Sequence, residues 1–388
     1  MSFTATRIIG LSAAFAAALN GTMVMPLIVM ALTRIPGISE ASATLVASAE
    51  IGGIALYCLL CPRLVQRARF AVALGGGLAL IAGQLCTHFA VGVGALAAAR
   101  LLAGLGEGAL FSLITYDVAA QAEAERIWGQ INLVGGVCMG LLLYALSMLA
   151  PVEGRGSIFL WLAAFAAALA PLVLAIPKRQ QAAATQAAPV RLPRRQLALI
   201  LFVVLLVYGV QAGQWAVSGY VGARAQLPAA TVGLFLALSS IAGFIGAIVP
   251  ALTRNPAQRP RFVALGFVVM GASVYAFFNF TGALPFLGAQ ILVNVGFYIL
   301  TPFLTGLLTE NDPDGVLVMR TLVIAMLGAG LGTALAGALF VDGGTQLFSA
   351  IAVGVVGIAL LCAMRVFLQV RAAARPAAGN EQAAMAPP

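Results

Sequence analysis

"LAAARLLAGLGEGAL", residues 96–110, sets one arginine and one glutamate into a run otherwise made of apolar residues and glycine. The run extends from 92 to 118, long enough at about 1.5 Å per residue to cross the roughly 30 Å of hydrocarbon in a bilayer. A charge at the centre of such a segment costs about 2.5–3.5 kcal/mol on insertion scales. A chain that keeps two of them has a use for both.

Similar apolar runs recur from end to end. Their edges place spans at 7–33, 43–61, 70–89, 92–118, 128–150 and 156–176, then at 196–220, 229–252, 262–280, 282–306, 316–340 and 345–370. The chain is 62% hydrophobic and only 9% charged, with a mean hydropathy of +1.04, too little polar surface to coat a water-soluble globule. In lipid the backbone must close its hydrogen bonds within each segment, so the spans are helices, and the short alternating segments of a β-barrel are missing. The fold class is therefore all-α and transmembrane. The first run follows Arg7 as a signal peptide would, but it continues past a 7–15-residue apolar region and reads as an uncleaved span. Asn20, Gly21 and Pro26 inside it point to a break or kink.

Twelve spans put both termini on one side. Loops on that side carry Arg63, Arg67, Arg69, Lys178, Arg179, Arg191, Arg194, Arg195, Arg254, Arg259 and Arg261, with Arg371 and Arg375 in the tail. The opposite loops carry Arg34, Arg155 and Arg224. The positive-inside bias makes the termini cytoplasmic. Arginine outnumbers lysine twenty to one, as in GC-rich bacterial genomes, which points to a cell inner membrane. The net charge of +9 is thus spread over short loops as topology requires, not gathered into a nucleic-acid surface. Cys58, Cys61, Cys86, Cys138 and Cys362 all fall within or at the ends of spans, and the C-x-x-C at 58–61 has no histidine or second pair to complete a metal site. Nothing calls for a cofactor.

Residues 177–195, "PKRQQAAATQAAPVRLPRR", form the longest stretch unfit for lipid, and they part six spans from six. The expected organisation is a six-helix bundle over 1–176, a cytoplasmic linker over 177–195, a second bundle over 196–370 and a disordered Ala/Pro-rich tail over 371–388. The halves echo each other: "ARFAVAL" from 68 matches "PRFVALG" from 260, and similar offsets lay Asn20 on Gln211 and Arg100 on Gln290. Six spans, a basic loop and six spans resemble the major facilitator superfamily. Its fourth-helix pattern, roughly L-x-x-x-R-x-x-x-G-x-G, is filled by Leu96, Arg100, Gly104 and Gly106. The resemblance implies a twelve-helix bundle of two halves around a central cavity lined by the first, fourth, seventh and tenth spans. Two motifs depart from the family. Its loop signature, G-x-L-x-D-R-x-G-R-[KR], is reduced in "CPRLVQRARF" to Arg69, with Val65 in the aspartate's place. Its antiporter motif in the fifth span lacks the proline in "GGVCMG", residues 135–140.

Polar residues within spans concentrate in those four helices: Asn20 in the first; Arg100 and Glu107 in the fourth; Gln211, Gln214, Trp215 and Ser218 in the seventh; Gln290, Asn294 and Tyr298 in the tenth. Gln211, Trp215 and Ser218 recur at i, i+4, i+7, and Gln290, Asn294 and Tyr298 at i, i+4, i+8, each predicting one polar stripe. These stripes mark solute-binding candidates, interhelical hydrogen bonding being the other use of such residues. Of the acids only Glu50 and Glu107 lie deep. Arg100 and Glu107 share a face but stand about 10.5 Å apart along the axis. Glu50 lies at the depth of Arg100, so these two are expected to pair, for structure or with Arg100 free to bind a solute carboxylate. That leaves Glu107 as an unpaired carboxyl. Desolvation disfavours the anion, so such an acid can trade a proton. Glu107 and Glu50 are the proton-coupling candidates. Asp117, near the cytoplasmic end of the fourth span, reads as a solvated helix end or, with Arg69, as a gate contact.

The function these features predict is secondary transport of a small, partly apolar organic solute by alternating access between two bundles, coupled to protons, by a monomer in the bilayer. Multidrug or metabolite efflux by proton antiport is the alternative, and a non-transporting sensor or a channel a further one. ATP does not drive it directly, since no G-x-x-x-x-G-K-[ST] occurs and the one lysine, Lys178, sits in the linker. An enzyme would show a clustered catalytic set, and the one histidine, His88, lies at the outer end of the third span.

Overall fold

The computed structural model describes residues 5–119, 124–153, 157–176, 192–253, 256–309, 311 and 316–384. Among them the regular structure is helical: α1 (Ala5–Ala18), α2 (Asn20–Met23), α3 (Met25–Thr33), α4 (Glu40–Leu60), α5 (Pro62–Arg67), α6 (Arg69–Phe89), α7 (Val93–Ala119), α8 (Ala124–Glu153), α9 (Ser157–Leu174), α10 (Arg194–Ala216), α11 (Ser218–Arg224), α12 (Ala229–Gly243), α13 (Ile248–Leu252), α14 (Arg259–Asn279), α15 (Ala283–Thr309) and α16 (Val316–Ala384). The last contains spans eleven and twelve, turned at Gly344, whose φ of 65° is non-helical. Its backbone stays helical through Ala384, where composition points to disorder from 371; a tail this rich in alanine carries high helix propensity. The linker expected at 177–195 lies outside the described residues except for 192–195.

Among the described residues, eleven helical segments are long and apolar enough to cross a membrane, two of them within α16 and one running from α12 into α13. The first span is the exception, being cut into three pieces at Leu19 and Val24, with Pro26 in the first turn of α3. Proline has no N–H to give the carbonyl four residues back, so the oxygen of Thr22 loses its helical donor. The seventh span is also cut, at Val217.

The internal echo is sharper in the backbone than in the sequence. Helices α6 and α14 are each 21 residues long, α7 and α15 each 27, and each pair starts 190 residues apart. The connections match too. Both pairs turn through three residues that end in a left-handed glycine, Gly92 with φ 84° and Gly282 with φ 116°, a conformation that L side chains resist.

Glycines decide how closely the helices approach. A Cβ at Gly104 would strike the backbone carbonyl of Glu50, one at Gly108 would meet Ile54 and Tyr57, and one at Gly106 would strike α6 at Gly76 and Leu80. The glycines of the opening stretch therefore seat α7 against α4 on one face and against α6 on another. Small residues that let backbones touch are the general means of packing helices in lipid.

The two halves meet from the midplane to the side where α3 ends and α4 begins, called here the far side. There Gly337 of α16 packs on Thr44 of α4, Gly233 of α12 on Ser147 of α8, and Gly219 of α11 on Met30 of α3. One apolar core joins both halves, through Ile28, Leu32, Val46, Leu143, Val203, Leu236 and Phe277 among others. Towards the opposite side a second core belongs to the first half alone, with Leu11, Phe15, Val65, Val72, Leu113 and Ile127. The conformation is closed on the far side.

Gly75 has nothing within 4 Å of an added Cβ, so Gly75→Ala should hold or raise the melting temperature, because alanine is the better helix former by about 1 kcal/mol. Gly104→Ala gains the same propensity but is expected to lower the melting temperature by several degrees, through overpacking worth about 1–3 kcal/mol. Thermal unfolding of both proteins in one detergent checks the contrast.

Candidate functional site

At mid-membrane the first half buries three charged side chains and shields them from lipid completely. Arg100 of α7, Glu50 of α4 and Glu107 of α7 are all 0% exposed. Arg100 and Glu50 form an ion pair through Nη2 and Oε2, across the close α4–α7 contact that Gly104 permits. Arg100 Nη1 donates to Gln84 Oε1 of α6 at 2.7 Å, and the guanidinium carbon lies 5.6 Å from the centre of the Phe159 ring of α9. A buried guanidinium needs this: one anion for its charge, an oxygen for a remaining N–H and an aromatic face over its plane.

Glu107 stands apart from Arg100 along the helix, but it is not the isolated acid that spacing alone predicts. The carboxyls of Glu50 and Glu107 both lie against Gly21 of α2, which brings the two acids into one buried cluster with Arg100. The Gly21 N–H of α2 also donates to Glu107 Oε1, at 3.2 Å. A Cβ at Gly21 would collide with the Glu50 carboxylate, so a larger residue there would displace Glu50 from its place beside Arg100. A periodicity argument along α7 sees one helix at a time and so misses a second carboxyl arriving from a neighbour.

The second half presents neutral amides at the corresponding positions. Gln214 Nε2 of α10 donates to Gln290 Oε1 of α15 at 2.6 Å, and Gln211 Nε2 donates to Asn294 Oδ1 at 2.8 Å. Asn294 Nδ2 passes on to the Ser239 carbonyl of α12 at 3.2 Å. The rungs run in opposite order along α10 and α15, as they must between antiparallel helices. Gln290 occupies the place in α15 that Arg100 occupies in α7, so the halves share a scaffold and differ in charge.

The seventh-span stripe is divided. Gln211 and Gln214 face α15, whereas Trp215 turns to the other half, its indole Nε1 donating to the carbonyls of Thr22 at 3.2 Å and Met23 at 3.1 Å. Ser218 lies beyond the break at Val217 and donates locally to the Gln214 carbonyl at 3.0 Å. Residues i, i+4 and i+7 share a face only in an unbroken helix. Tyr298 is half-buried, with its ring 4.5 Å from that of Phe244. Asn20 is fully buried, and both of its amide atoms are without a hydrogen-bond partner among the described residues.

Asp117 is not a solvated helix end. It is 0% exposed and takes Arg69 of α6 and Arg7 of α1, the latter at 3.4 Å. One carboxylate thus ties the starts of the first and third spans to the end of the fourth, all within the first half. Gln84 and Phe159 went unread in the sequence. Gln84 carried a signal, as an amide deep in the third span, but Phe159 looks like any other core aromatic.

The Major Facilitator Superfamily model matches residues 10–317. The chain belongs to the Major Facilitator Superfamily. As a superfamily member with many apolar helices it is an integral membrane transporter. Two solved superfamily folds are similar throughout. The human organic anion transporter MFSD10 (TETRAN) has a TM-score of 0.65 at 15% identity, covering 93% of this chain and 100% of its own. The nucleoside transporter NupG, solved in a mutant form, has a TM-score of 0.68 at 12% identity, covering 94% of this chain and 99% of its own. No curated protein sequence matches significantly.

Glu50→Gln should destabilise the protein by about 3–5 kcal/mol, the cost of leaving a buried charge without its partner. Glu50→Gln/Arg100→Gln should recover most of that loss. Thermal stability of the two variants tests this, and a single mutant as stable as the native protein would show that Arg100 does not depend on the pair.

Proposed function

We propose that the chain is a proton-coupled secondary transporter that moves a small, partly apolar organic solute by alternating access between its two halves. The observation that carries this reading is the set of two fully buried carboxyls, Glu50 and Glu107, that share Gly21 as a neighbour and lie beside a single guanidinium. Two carboxyls and one guanidinium balance when one carboxyl keeps a proton. Gain or loss of that proton changes the charge of a fully buried site by one unit, so the two protonation states favour different arrangements of the helices. Proton binding and conformation are then linked, as coupling requires. Glu107 is the exchanging group and Glu50 its partner. Arg100 has a structural role, its charge being spent on Glu50 and an N–H on Gln84.

The solute class follows from what the amides leave over. Gln211 Oε1, Gln214 Oε1, Gln290 Nε2 and both amide atoms of Asn20 have no hydrogen-bond partner among the described residues. They offer neutral donors and acceptors, with the rings of Trp215 and Tyr298 nearby in the same spans. A solute with an amide-like or hydroxyl-rich edge and an apolar body suits that set, and a carboxylate finds no uncommitted cation in the Arg100 site. Arg69 and Asp117 brace the terminal end of the first half as gate elements. The arginine-rich loops support cytoplasmic termini in a cell inner membrane, and with that orientation the far-side closure corresponds to an inward-facing state of a monomer.

A thermal-shift screen of purified protein against small organic solutes at two pH values identifies a ligand, and reconstituted protein then carries it. Glu107→Gln should cut accumulation driven by a pH gradient at least tenfold while solute counterflow, which needs no net proton movement, stays within about threefold of native. Unchanged gradient-driven transport in Glu107→Gln would remove the coupling assignment.

A further inference from the structure

The break in the first span touches both halves of the molecule, and its backbone makes a contact to each. Over three residues, the Gly21 N–H donates to Glu107 in the first half, while the Thr22 and Met23 carbonyls accept from Trp215 in the second. The break makes both contacts possible. Pro26 supplies no N–H to Thr22, and the N–H of Leu27 bonds to Val24 at 2.9 Å, so neither the Thr22 nor the Met23 oxygen has the helical donor four residues on, and both accept from the indole. Trp215 is 9% exposed and Gly21 buried, and Met23 also receives the Ser240 hydroxyl of α12 on its sulfur at 3.7 Å. The segment from 20 to 24 is thus held on one side by the acid and on the other by the opposite bundle.

We propose that Trp215 is a positioning residue that couples the protonation of Glu107 to closure between the halves, with the broken segment of the first span as the link. This rests on the proton-coupling role of Glu107. An ionised carboxylate holds the Gly21 N–H by a charge-assisted hydrogen bond, roughly twice as strong as a neutral one. Protonation removes the charge and weakens that hold. Segment 20–24 then shifts, and the two carbonyls move with it, so the indole loses its acceptors. Close by, Gly219 of α11 packs on Met30 and Pro26 of α3, in the same far-side contact between halves. Loss of the indole's anchorage frees that contact, so proton binding favours opening on the far side. The charged groups that face Glu107 are Glu50 from α4 and Arg100 from its own helix; α6 contributes the neutral Gln84, which is bonded to Arg100.

The test needs no solute. The protein contains three tryptophans, Trp128, Trp161 and Trp215, so 5-fluorotryptophan labelling gives three fluorine resonances, assigned by single Trp→Phe replacements. The resonance of Trp215 should titrate between two limits as pH changes, and in Glu107→Gln it should stay at the acidic limit across the range. The Trp128 and Trp161 resonances serve as internal controls. A Trp215 resonance that does not move with pH in the native protein overturns the linkage without any variant having to fold. A resonance that titrates in Glu107→Gln as it does in the native protein overturns it too. Should gradient-driven transport depend on Glu107 while Trp215 stays silent, the coupling reading stands and only this linkage fails. Should Trp215 follow Glu107 while transport ignores the proton gradient, the linkage stands and the energy source is another.

Discussion

A guanidinium buried at mid-membrane has to be paired, and the first half of this protein is arranged around that requirement. Arg100 is 0% exposed in a helix that spans lipid, and its pairing with Glu50 demands that α4 and α7 come within backbone contact. Gly104 and Gly108 allow it on one side, and Gly106 seats α6 on the other, which brings Gln84 to a remaining N–H. The Glu50 carboxyl lies so close to α2 that a Cβ at position 21 would collide with it, beside the Gly21 N–H that Glu107 accepts. The charge pair, the glycine pattern and the broken first span are consequences of one packing arrangement.

The comparison of the two halves separates scaffold from function. Equal helix lengths and matching left-handed glycine turns at Gly92 and Gly282 show one design used twice. On that common frame the first half carries charge and the second carries amides, with Gln290 standing where Arg100 stands. An amide pair such as Gln214–Gln290 holds helices together at little cost in lipid and leaves neutral edges that a solute can use. A charged trio costs more. The proposed division of labour between an energy-coupling half and a solute-reading half rests on which residues replace one another at the same depth.

Much of this is legible in the sequence. Apolar run lengths gave the twelve spans, arginine placement gave the expected orientation, and equal depth put Glu50 beside Arg100. The proline and glycine near Asn20 pointed to the break. What sequence could not supply was contact from a third direction. Asp117 meets Arg7 arriving from the start of the first helix, and the gathering of Glu50 and Glu107 about Gly21 depends on a glycine-thin interface whose tightness no periodicity encodes. The reading of Trp215 with Gln211 failed for a related reason, since position along one helix does not say which neighbour a large ring will reach. Pro26 did hold a clue to that ring, because it deprives the Thr22 carbonyl of its donor.

The central claim is that Glu50 and Glu107 hold one exchangeable proton beside Arg100 in a site without contact to lipid. Infrared difference spectroscopy of the protein in lipid, between acidic and alkaline pH, reads this most directly through the C=O stretch of a buried protonated carboxylic acid. The account predicts one such band that appears as pH falls, shifts when the solvent is exchanged for deuterium oxide, and is missing from Glu107→Gln. A spectrum in which that band is absent from the native protein at every pH, or persists unaltered in Glu107→Gln, would contradict it.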